Sequence, residues 1–170
     1  MELPVLHGER VTLRSLTEAD LDALCVLVTV PGVAEWWGDA EEIDERREDL
    51  RQEGSAFAIE EAGALAGWLG FWEENTPQYR HATLDIILGP GHQDRRLGSE
   101  ALRLAIRWLV ERGHHRFTID PAAHNERAIR AYAAVGFRPV GTLRDYERGP
   151  DGAWRDGLLM ELLASELTSS

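Results

Sequence analysis

Two side chains in this sequence have the chemistry needed to move protons during a group transfer. Asp85 interrupts an apolar stretch, Leu84–Leu88, where a carboxylate is costly to bury unless it has a task. There it could take a proton from an ammonium group, and burial would raise its pKa toward neutrality. Tyr132 carries a phenol that can donate a proton to a leaving group. The alternatives are a solvent-facing strand aspartate and a core tyrosine whose hydroxyl is satisfied elsewhere.

A polar turn, Gln93–Gly98, comes directly before an amphipathic helical pattern. The unpaired N–H groups and the positive dipole end of such a helix favour an anion. Arg95 and Arg96 add positive charge to this turn in a chain that is otherwise acidic. The pattern indicates a pyrophosphate site, although two arginines at a helix start are also common on a plain solvated surface.

Hydrophobic periodicity predicts the elements that must hold these groups in place. Thr17–Asp20 has the form of a capping box that starts a first helix, and Asn125 is placed to start the helix that carries Tyr132. Gly63 and Gly152 mark turns that connect strands. Strands are predicted at 11–16, 57–60, 65–72, 82–88, 117–119, 137–143 and 154–163, and helices after residue 17 and at 40–52, 97–112 and 125–135.

These elements alternate as β-α-α-β-β-β-α-β-α-β-β, which is typical of an α+β fold with a mixed sheet. A length of 170 residues suits one domain that buries a sizeable core. The sequence contains no internal repeat, low-complexity tract or linker composition. We therefore expect a single domain over 1–170, with only Thr168–Ser170 frayed.

The acidic balance of the chain bears on its partners. The formal net charge is −12, from 30 acidic and 18 basic residues. Nucleic acids and anionic membranes need basic surfaces, so neither partner is expected, whereas a cationic small-molecule amine would be attracted. The alternative is that the acidity only keeps the protein soluble.

The cysteine and histidine content argues against a disulfide and against a metal site. Cys25 is the single cysteine, which excludes an internal disulfide and fits a reducing cytoplasmic location. The six histidines lack the spacing of metal ligands, so no metal site is expected. No apolar run approaches the roughly 20 residues of a membrane span.

With these residues in view, the chain resembles the GNAT superfamily of acyl-CoA-dependent N-acetyltransferases over essentially its whole length. The acetyl-CoA motif of that family, Q/R-x-x-G-x-G/A, falls on Gln93–Gly98, and Asn125–Tyr132 followed by Gly136 and Phe137 matches a second motif. Arg96 stands where the first glycine of the motif is expected. The resemblance implies an α/β/α sandwich around a central mixed, mostly antiparallel sheet, with acetyl-CoA as cosubstrate.

The resemblance also implies a role for each candidate residue. Asp85 would deprotonate the amine, and Tyr132 would protonate the departing thiolate. Direct attack in a ternary complex is preferred, because the sequence offers no good nucleophile for a covalent route. Asn125 could be a helix cap, a cofactor contact or both. A backbone N–H of the Asp85 strand would polarise the thioester carbonyl, and the expected cofactor contacts are Ile86, Ile87, Leu88, Gln93, Asp94, Arg95, Arg96, Leu97, Gly98, Ser99, Asn125, Ala128 and Tyr132.

Three features are similar to aminoglycoside 6′-N-acetyltransferases within that superfamily: Glu35–Gly38, the mid-strand Asp85, and Asp120-Pro121 before the next helix. Indole faces and converging carboxylates suit a substrate with several ammonium groups. Core packing is the alternative for the tryptophans, plain solvation for the glutamates, and an Asx turn for the aspartate before the proline. The expected substrate contacts are Trp36, Trp37, Asp39, Glu73, Glu74, Asp85 and Asp120.

The expected activity is transfer of an acetyl group from acetyl-CoA to a primary amine of an aminoglycoside, an antibiotic-resistance activity, by a monomer or homodimer. The opening segment, 6–21, is equally similar to ribosomal-protein N-terminal acetyltransferases. A peptide N-terminus, another small amine, or a non-catalytic acyl-CoA-binding module therefore remain as alternatives.

Overall fold

A computed structural model describes residues 2–37, 43–52 and 55–169 of the chain. Within these residues eight strands form one sheet, accompanied by five α-helices. The strands are β1 (Leu6–His7), β2 (Val11–Ser15), β3 (Ala56–Glu61), β4 (Ala64–Glu74), β5 (His81–Leu88), β6 (Arg116–Ile119), β7 (Arg138–Arg148) and β8 (Trp154–Leu163). The helices are α1 (Glu18–Leu27), α2 (Ala34–Trp37), α3 (Ile43–Arg51), α4 (Leu97–Glu111) and α5 (Glu126–Val135).

The sheet has helices on both faces. Its order is β1-β2-β3-β4-β5-β6-β8-β7, and every pairing is antiparallel except that of β5 with β6. Successive side chains on a strand point to opposite faces, so Trp68 of β4 packs with α1 and α3 while Leu69 packs with α4 and α5. The predicted α+β fold, an α/β/α sandwich around a mixed and mostly antiparallel sheet, is confirmed.

Local sequence signals account for several element boundaries. The Thr17 hydroxyl accepts a hydrogen bond from the Asp20 N–H at 3.2 Å, and the Asp20 carboxylate accepts from the Thr17 N–H at 2.8 Å. This is the predicted capping box at the start of α1. Ala62 and Gly63 have φ angles of 50° and 79°, the left-handed conformation that a two-residue hairpin between β3 and β4 requires.

The C-terminal hairpin differs from the prediction in a way that matters for the site. β7 continues to Arg148, whereas the predicted strand ends at Leu143 and 146–152 are predicted to link it to the next strand. The pairing passes from Leu143 opposite Gly157 directly to Glu147 opposite Arg155, so β7 bulges by two extra residues. Two further elements, β1 and α2, are too short for periodicity to reveal. Residues 40–42 of the predicted second helix lie outside the described residues.

Thr168 is held in place by the end of α5. Its N–H donates to the carbonyl of Val135 at 3.0 Å, and its hydroxyl donates to the carbonyl of Ala134 at 2.7 Å. Arg103 of α4 donates to the same hydroxyl at 3.2 Å. The expectation that fraying begins at Thr168 is therefore corrected, because this side chain satisfies carbonyl groups at a helix end. Ser170 lies outside the described residues.

Candidate active site

A cavity of about 670 Å³ opens where the end of β5, the start of α4 and the inner face of α5 meet. Its wall contains residues from each of the three predicted groups: those for the amine, those for the cofactor and those for proton transfer. Those that line the cavity are Trp36, Trp37, Asp85, Ile86, Ile87, Leu88, Gln93, Asp94, Arg96, Leu97, Gly98, Ser99, Asp120, Asn125, Ala128 and Tyr132.

The cavity exists because the two parallel strands at the centre of the sheet separate. β5 pairs with β6 only at Ala82 with Phe117 and Thr83 with Thr118. β5 then continues as one wall, while the chain after β6 reaches Pro121, which has no N–H to donate to a ladder. The backbone of Asp85 and the residues after it is therefore left beside the cavity, where a ligand can pair with it.

Asp85 is half-buried at the cavity and has one main-chain partner. It lies on β5 opposite Gly70, and its Oδ1 accepts a hydrogen bond from the Ile86 N–H at 2.8 Å. Burial raises the pKa of the Asp85 carboxyl to about 7; the Ile86 N–H opposes this rise, and the carboxylates of Asp120 and Glu147 add to it. A carboxylate with such a pKa exchanges a proton near neutral pH, as a general base must.

Tyr132 presents its hydroxyl to the same cavity. The side chain is 8% exposed, and its ring packs edge-on against Phe137 at 6.4 Å between centroids. Its hydroxyl makes no hydrogen bond with any residue in the described part of the chain. Burial raises the pKa of the Tyr132 phenol above its usual value, and the carboxylates of Asp85 and Asp120 reinforce the shift. The phenol therefore holds its proton at neutral pH and can act as a proton donor.

The start of α4 forms the opposite end of the cavity. The backbone N–H groups of Leu97, Gly98 and Ser99 open this helix, so they lack partners in the helix itself. A Cβ at Gly98 would lie 3.1 Å from the Leu88 Cδ1, which shows how closely the helix approaches β5. The N–H groups and the helix dipole make this end of the cavity suitable for an anion.

Arg96 takes the backbone conformation that a glycine would take without strain. It precedes α4 with φ 63° and ψ 13°, in the left-handed region. Its guanidinium is exposed at the cavity and has no hydrogen-bond partner among residues 2–37, 43–52 and 55–169. The departure from the expected glycine thus leaves the turn geometry intact and adds a free cation to it.

Replacing Arg96 by glycine is expected to separate these two effects. Release of left-handed strain should raise the free energy of unfolding by about 1 kcal/mol. Loss of an exposed cation should raise the KM for acetyl-CoA by about two- to fivefold, because this factor corresponds to the free energy of one solvent-exposed ion pair. Urea unfolding and initial-rate kinetics measure the two quantities. Arg96→Lys is the control, since it keeps both the charge and the strain, and an unchanged KM in the glycine variant would contradict the phosphate role.

The start of α5 adds a helix cap and further positive charge. The Asn125 side-chain oxygen accepts a hydrogen bond from the Ala128 N–H at 3.3 Å, so the capping role is present. Arg127 and Arg130 of this helix also line the cavity, and Arg127 forms an ion pair with Asp94 at 3.4 Å. Cations and helix starts therefore gather at one end of the cavity, which fits the phosphates of an elongated anionic cosubstrate.

Gln93 stabilises the loop between β5 and α4. Its side-chain amide donates to the carbonyl of Leu88 at 3.0 Å and to the carbonyl of Gly32 at 3.2 Å. The predicted cofactor residue thus lies at the cavity, with its amide engaged in loop contacts.

The other end of the cavity is aromatic and acidic. Trp36 packs against His124 at 5.0 Å between ring centroids, and Trp37 packs edge-on against Trp68 of the core at 5.6 Å. Both indoles are half-buried and line the cavity. Trp37 also packs against the core, whereas the ring contact of Trp36 is with the exposed His124. Asp120, which follows β6, accepts a hydrogen bond from the Tyr146 hydroxyl.

Arg95 lies apart from the residues lining the cavity. Its guanidinium pairs with Glu61, and its carbonyl accepts a hydrogen bond from Arg10 at 2.7 Å. Its side chain is therefore engaged with Glu61 in this structure, and its contact with the cofactor stays a prediction. The adjacent Arg96 carries the open charge instead.

Glu73 and Glu74 are not among the residues that line the cavity, so their contact with substrate has no support from the cavity and stays a prediction. Glu73 pairs with Arg112 at 2.8 Å and accepts from the buried His114 at 2.8 Å. Glu74 accepts a hydrogen bond from the Thr76 N–H at 2.7 Å. Both glutamates sit at the end of β4 far from Asp85, a separation that their loop-like sequence could not reveal. Asp39, the remaining predicted substrate contact, lies outside the described residues.

Several cavity residues escaped the sequence analysis. Arg127 and Arg130 stand within the motif around Asn125, and their helical spacing could have revealed them. Glu147 gave no such signal. The sequence predicts it in the link between two strands, whereas it belongs to β7.

Two further properties concern the described residues as a whole. Among residues 2–37, 43–52 and 55–169, no group of three or more His, Cys, Asp or Glu side chains could hold a metal ion. None of the helices over the same residues has the length and apolar character to cross a membrane.

Comparison with known proteins defines the class of the chain. The family model of the acetyltransferase (GNAT) domain matches residues 10–138. The chain therefore belongs to the GNAT acetyltransferase family, whose members are acetyl-CoA-dependent N-acetyltransferases.

Individual relatives differ in what they acetylate. The chain is 27% identical over 166 residues to aminoglycoside N(6′)-acetyltransferase type 1 of Klebsiella pneumoniae, covering 85% of this chain and 80% of the relative. Spermidine N-acetyltransferase of Vibrio cholerae, solved with CoA and spermine, has a TM-score of 0.78 at 24% identity, covering 94% and 98% of the two chains. Ribosomal-protein-S5-alanine acetyltransferase of Vibrio fischeri has a TM-score of 0.79 at 16% identity, covering 98% and 100%.

Proposed function

We propose that this GNAT acetyltransferase transfers the acetyl group of acetyl-CoA to a primary amine of an aminoglycoside. The observation that carries the proposal is the shared cavity of Asp85 and Tyr132, which also contains the carboxylates of Asp120 and Glu147. A proton acceptor, a proton donor and further negative charge are what acetylation of a polycationic amine needs. The 27% identity to an aminoglycoside acetyltransferase supports this substrate class above the other amines.

The cofactor end of the cavity suits acetyl-CoA in charge and shape. The N–H groups that open α4, together with Arg96, Arg127 and Arg130, would hold its phosphates. The bound cosubstrate supplies an activated acetyl thioester. The proposed donor to the acetyl carbonyl is a backbone N–H of the β5 segment Ile86–Leu88, which lines the cavity.

The two proton-transfer residues complete the reaction. Asp85 takes a proton from the substrate ammonium, so the neutral amine forms its bond to the acetyl carbon as the bond to sulfur breaks. Tyr132 gives its phenol proton to the departing thiolate. As the amide forms, its nitrogen loses a second proton to water. Asp85 then releases the proton it gained to water and Tyr132 regains one from water, so each turnover releases one proton overall. Buried Cys25 is located in the α1 cluster, so direct attack in a ternary complex is the proposed route.

An amine panel with acetyl-CoA tests the substrate class. We expect aminoglycosides to give faster thiol release than a peptide with a free N-terminus, because the carboxylates of the cavity bind several ammonium groups together. Thiol release gives the rates, and the mass of the product shows a single added acetyl group. Faster turnover of the peptide would overturn the aminoglycoside proposal and favour N-terminal acetylation. Absence of turnover with every amine would overturn the catalytic proposal itself.

A further inference from the structure

Glu147 reaches the cavity through the bulge in β7. The two extra residues lie between Leu143 and Glu147, and Asp145 within them has φ 45°. The strand therefore changes its twist just before Glu147, which lines the same cavity as Asp85. A bulge of this kind redirects a side chain, and here it adds a carboxylate to the acceptor end of the cavity.

Arg155 holds Glu147 in position without using its whole carboxylate. The Arg155 Nε donates to Glu147 Oε1 at 3.1 Å. The other guanidinium nitrogens donate to the main-chain carbonyls of Glu35 at 2.7 Å and Trp36 at 3.2 Å. Glu147 Oε2 makes no hydrogen bond with the residues that the structure describes. One oxygen thus fixes the side chain, and the other remains for a ligand.

Asp120, which lines the same cavity as Glu147, is held by Tyr146. The Tyr146 hydroxyl donates to Asp120 Oδ2, and this hydrogen bond raises the pKa of Tyr146 to about 12. The ring of Tyr146 has room because residue 157 is glycine; a Cβ there would lie 2.8 Å from the Tyr146 Cδ2. The cavity therefore holds two positioned carboxylates in addition to Asp85.

The hydroxyl of Tyr132 shows that the same cavity is built for a ligand. This side chain is more than nine-tenths buried, lines the cavity, and leaves its hydroxyl unpaired within the described residues. The hydroxyl is therefore available to form a hydrogen bond with a molecule bound in the cavity. Asp85 is assigned to the reacting amine and Tyr132 to the departing thiolate, so Glu147 and Asp120 are available for another part of the acceptor.

We propose that Glu147, assisted by Asp120, binds a second ammonium group of the acceptor, so that the enzyme selects amines with at least two cationic groups. This inference rests on the proposed acetyltransferase function. It makes Glu147 a specificity-determining residue, distinct in role from the proton-transfer pair.

Matched alkylamines and α,ω-diaminoalkanes of increasing length provide the test. In the wild-type enzyme, the best diamine should have a kcat/KM about tenfold or more above that of its matched monoamine, as expected for one charged hydrogen bond. Glu147→Gln should lower kcat/KM for the diamine by about tenfold and for the monoamine far less, chiefly through KM. The wild-type comparison is independent of whether any variant folds.

Glu161→Gln is the matched control, because Glu161 is also a strand glutamate paired with an arginine at 3.1 Å, and it lies outside the cavity lining. It should leave the preference for diamines intact. Equal kcat/KM for diamines and monoamines in the wild-type enzyme would overturn the second-ammonium role while leaving acetyl transfer established. Equal losses with both amines in Glu147→Gln would also overturn it. Absence of turnover with both classes would instead count against the proposed function.

Discussion

Replacing Asp85 by asparagine is expected to lower kcat by about 10²- to 10⁴-fold, the usual contribution of a positioned general base. The amide keeps the shape of the carboxyl but cannot take a proton from an ammonium group. The KM for acetyl-CoA should change little, because the proposed phosphate contacts come from the start of α4 and from α5. Initial rates with saturating amine and varied acetyl-CoA measure both parameters.

The pH dependence of the reaction rate tests the same role of Asp85. Asp85 must be ionised to act as a base, and its pKa is raised to about 7. The wild-type rate should therefore rise with pH and level off above neutrality, with a midpoint near that value. The rate of the Asp85→Asn variant should not show this rise with pH. A profile with the same midpoint in both enzymes would show that another group is titrating.

As pH rises, the free energy of unfolding should fall through Asp85 while the rate increases. Because the pKa of Asp85 is higher in the folded protein than its value of about 3.9 in an unfolded chain, the folded state binds the proton more tightly. The wild-type free energy of unfolding should fall through this contribution as pH rises from about 4 to about 7. Asp85→Asn removes the contribution, so its stability relative to the wild type should increase over that window in urea unfolding. Asp44→Asn, an exposed substitution on α3, is the control for both measurements.

Replacing Tyr132 by phenylalanine is the second large expected effect. Loss of the phenol removes the proton donor to the thiolate, which should lower kcat by about 10²- to 10³-fold. The ring and its contact with Phe137 are retained, so the fold should be preserved. Single-turnover rates with saturating acetyl-CoA and amine measure the loss directly.

Tyr79→Phe is the matched control for this substitution, because Tyr79 is 73% exposed and lies outside the cavity lining. A thiol ester with a better leaving group should partly restore turnover in Tyr132→Phe, since protonation of the sulfur then matters less. Turnover of the phenylalanine variant at the wild-type rate would remove the proposed acid role.

Much of the fold could be predicted because its elements carry strong local signals. The capping box at Thr17, the left-handed turn at Gly63 and the apolar face of α4 each specify a boundary or a buried surface. β1 and α2 gave no signal, since two and four residues are too few for a repeating pattern. The extent of β7 was missed because a bulge with Asp145 in the left-handed region has the same residue chemistry as a turn.

The site was predictable where a residue is unusual in its own surroundings. Asp85 within an apolar strand and Asn125 before a helix are visible from neighbouring residues alone. The contacts of Glu73 could not be predicted, because its partners Arg112 and His114 lie 39 and 41 positions away in the chain and only the fold brings them to it. Glu147 was missed for the complementary reason, since only the pairing of β7 with β8 turns it toward the cavity.

The position of β8 has a consequence for how the protein is made. β8 follows β7 in the chain but lies between β6 and β7 in the sheet, and it carries the arginine that fixes Glu147. Until β8 emerges from the ribosome, β6 has a neighbour only on its β5 side, and the acceptor end of the cavity lacks Arg155. The scaffold and the acceptor end of the cavity therefore both stay incomplete until β8 has been synthesised.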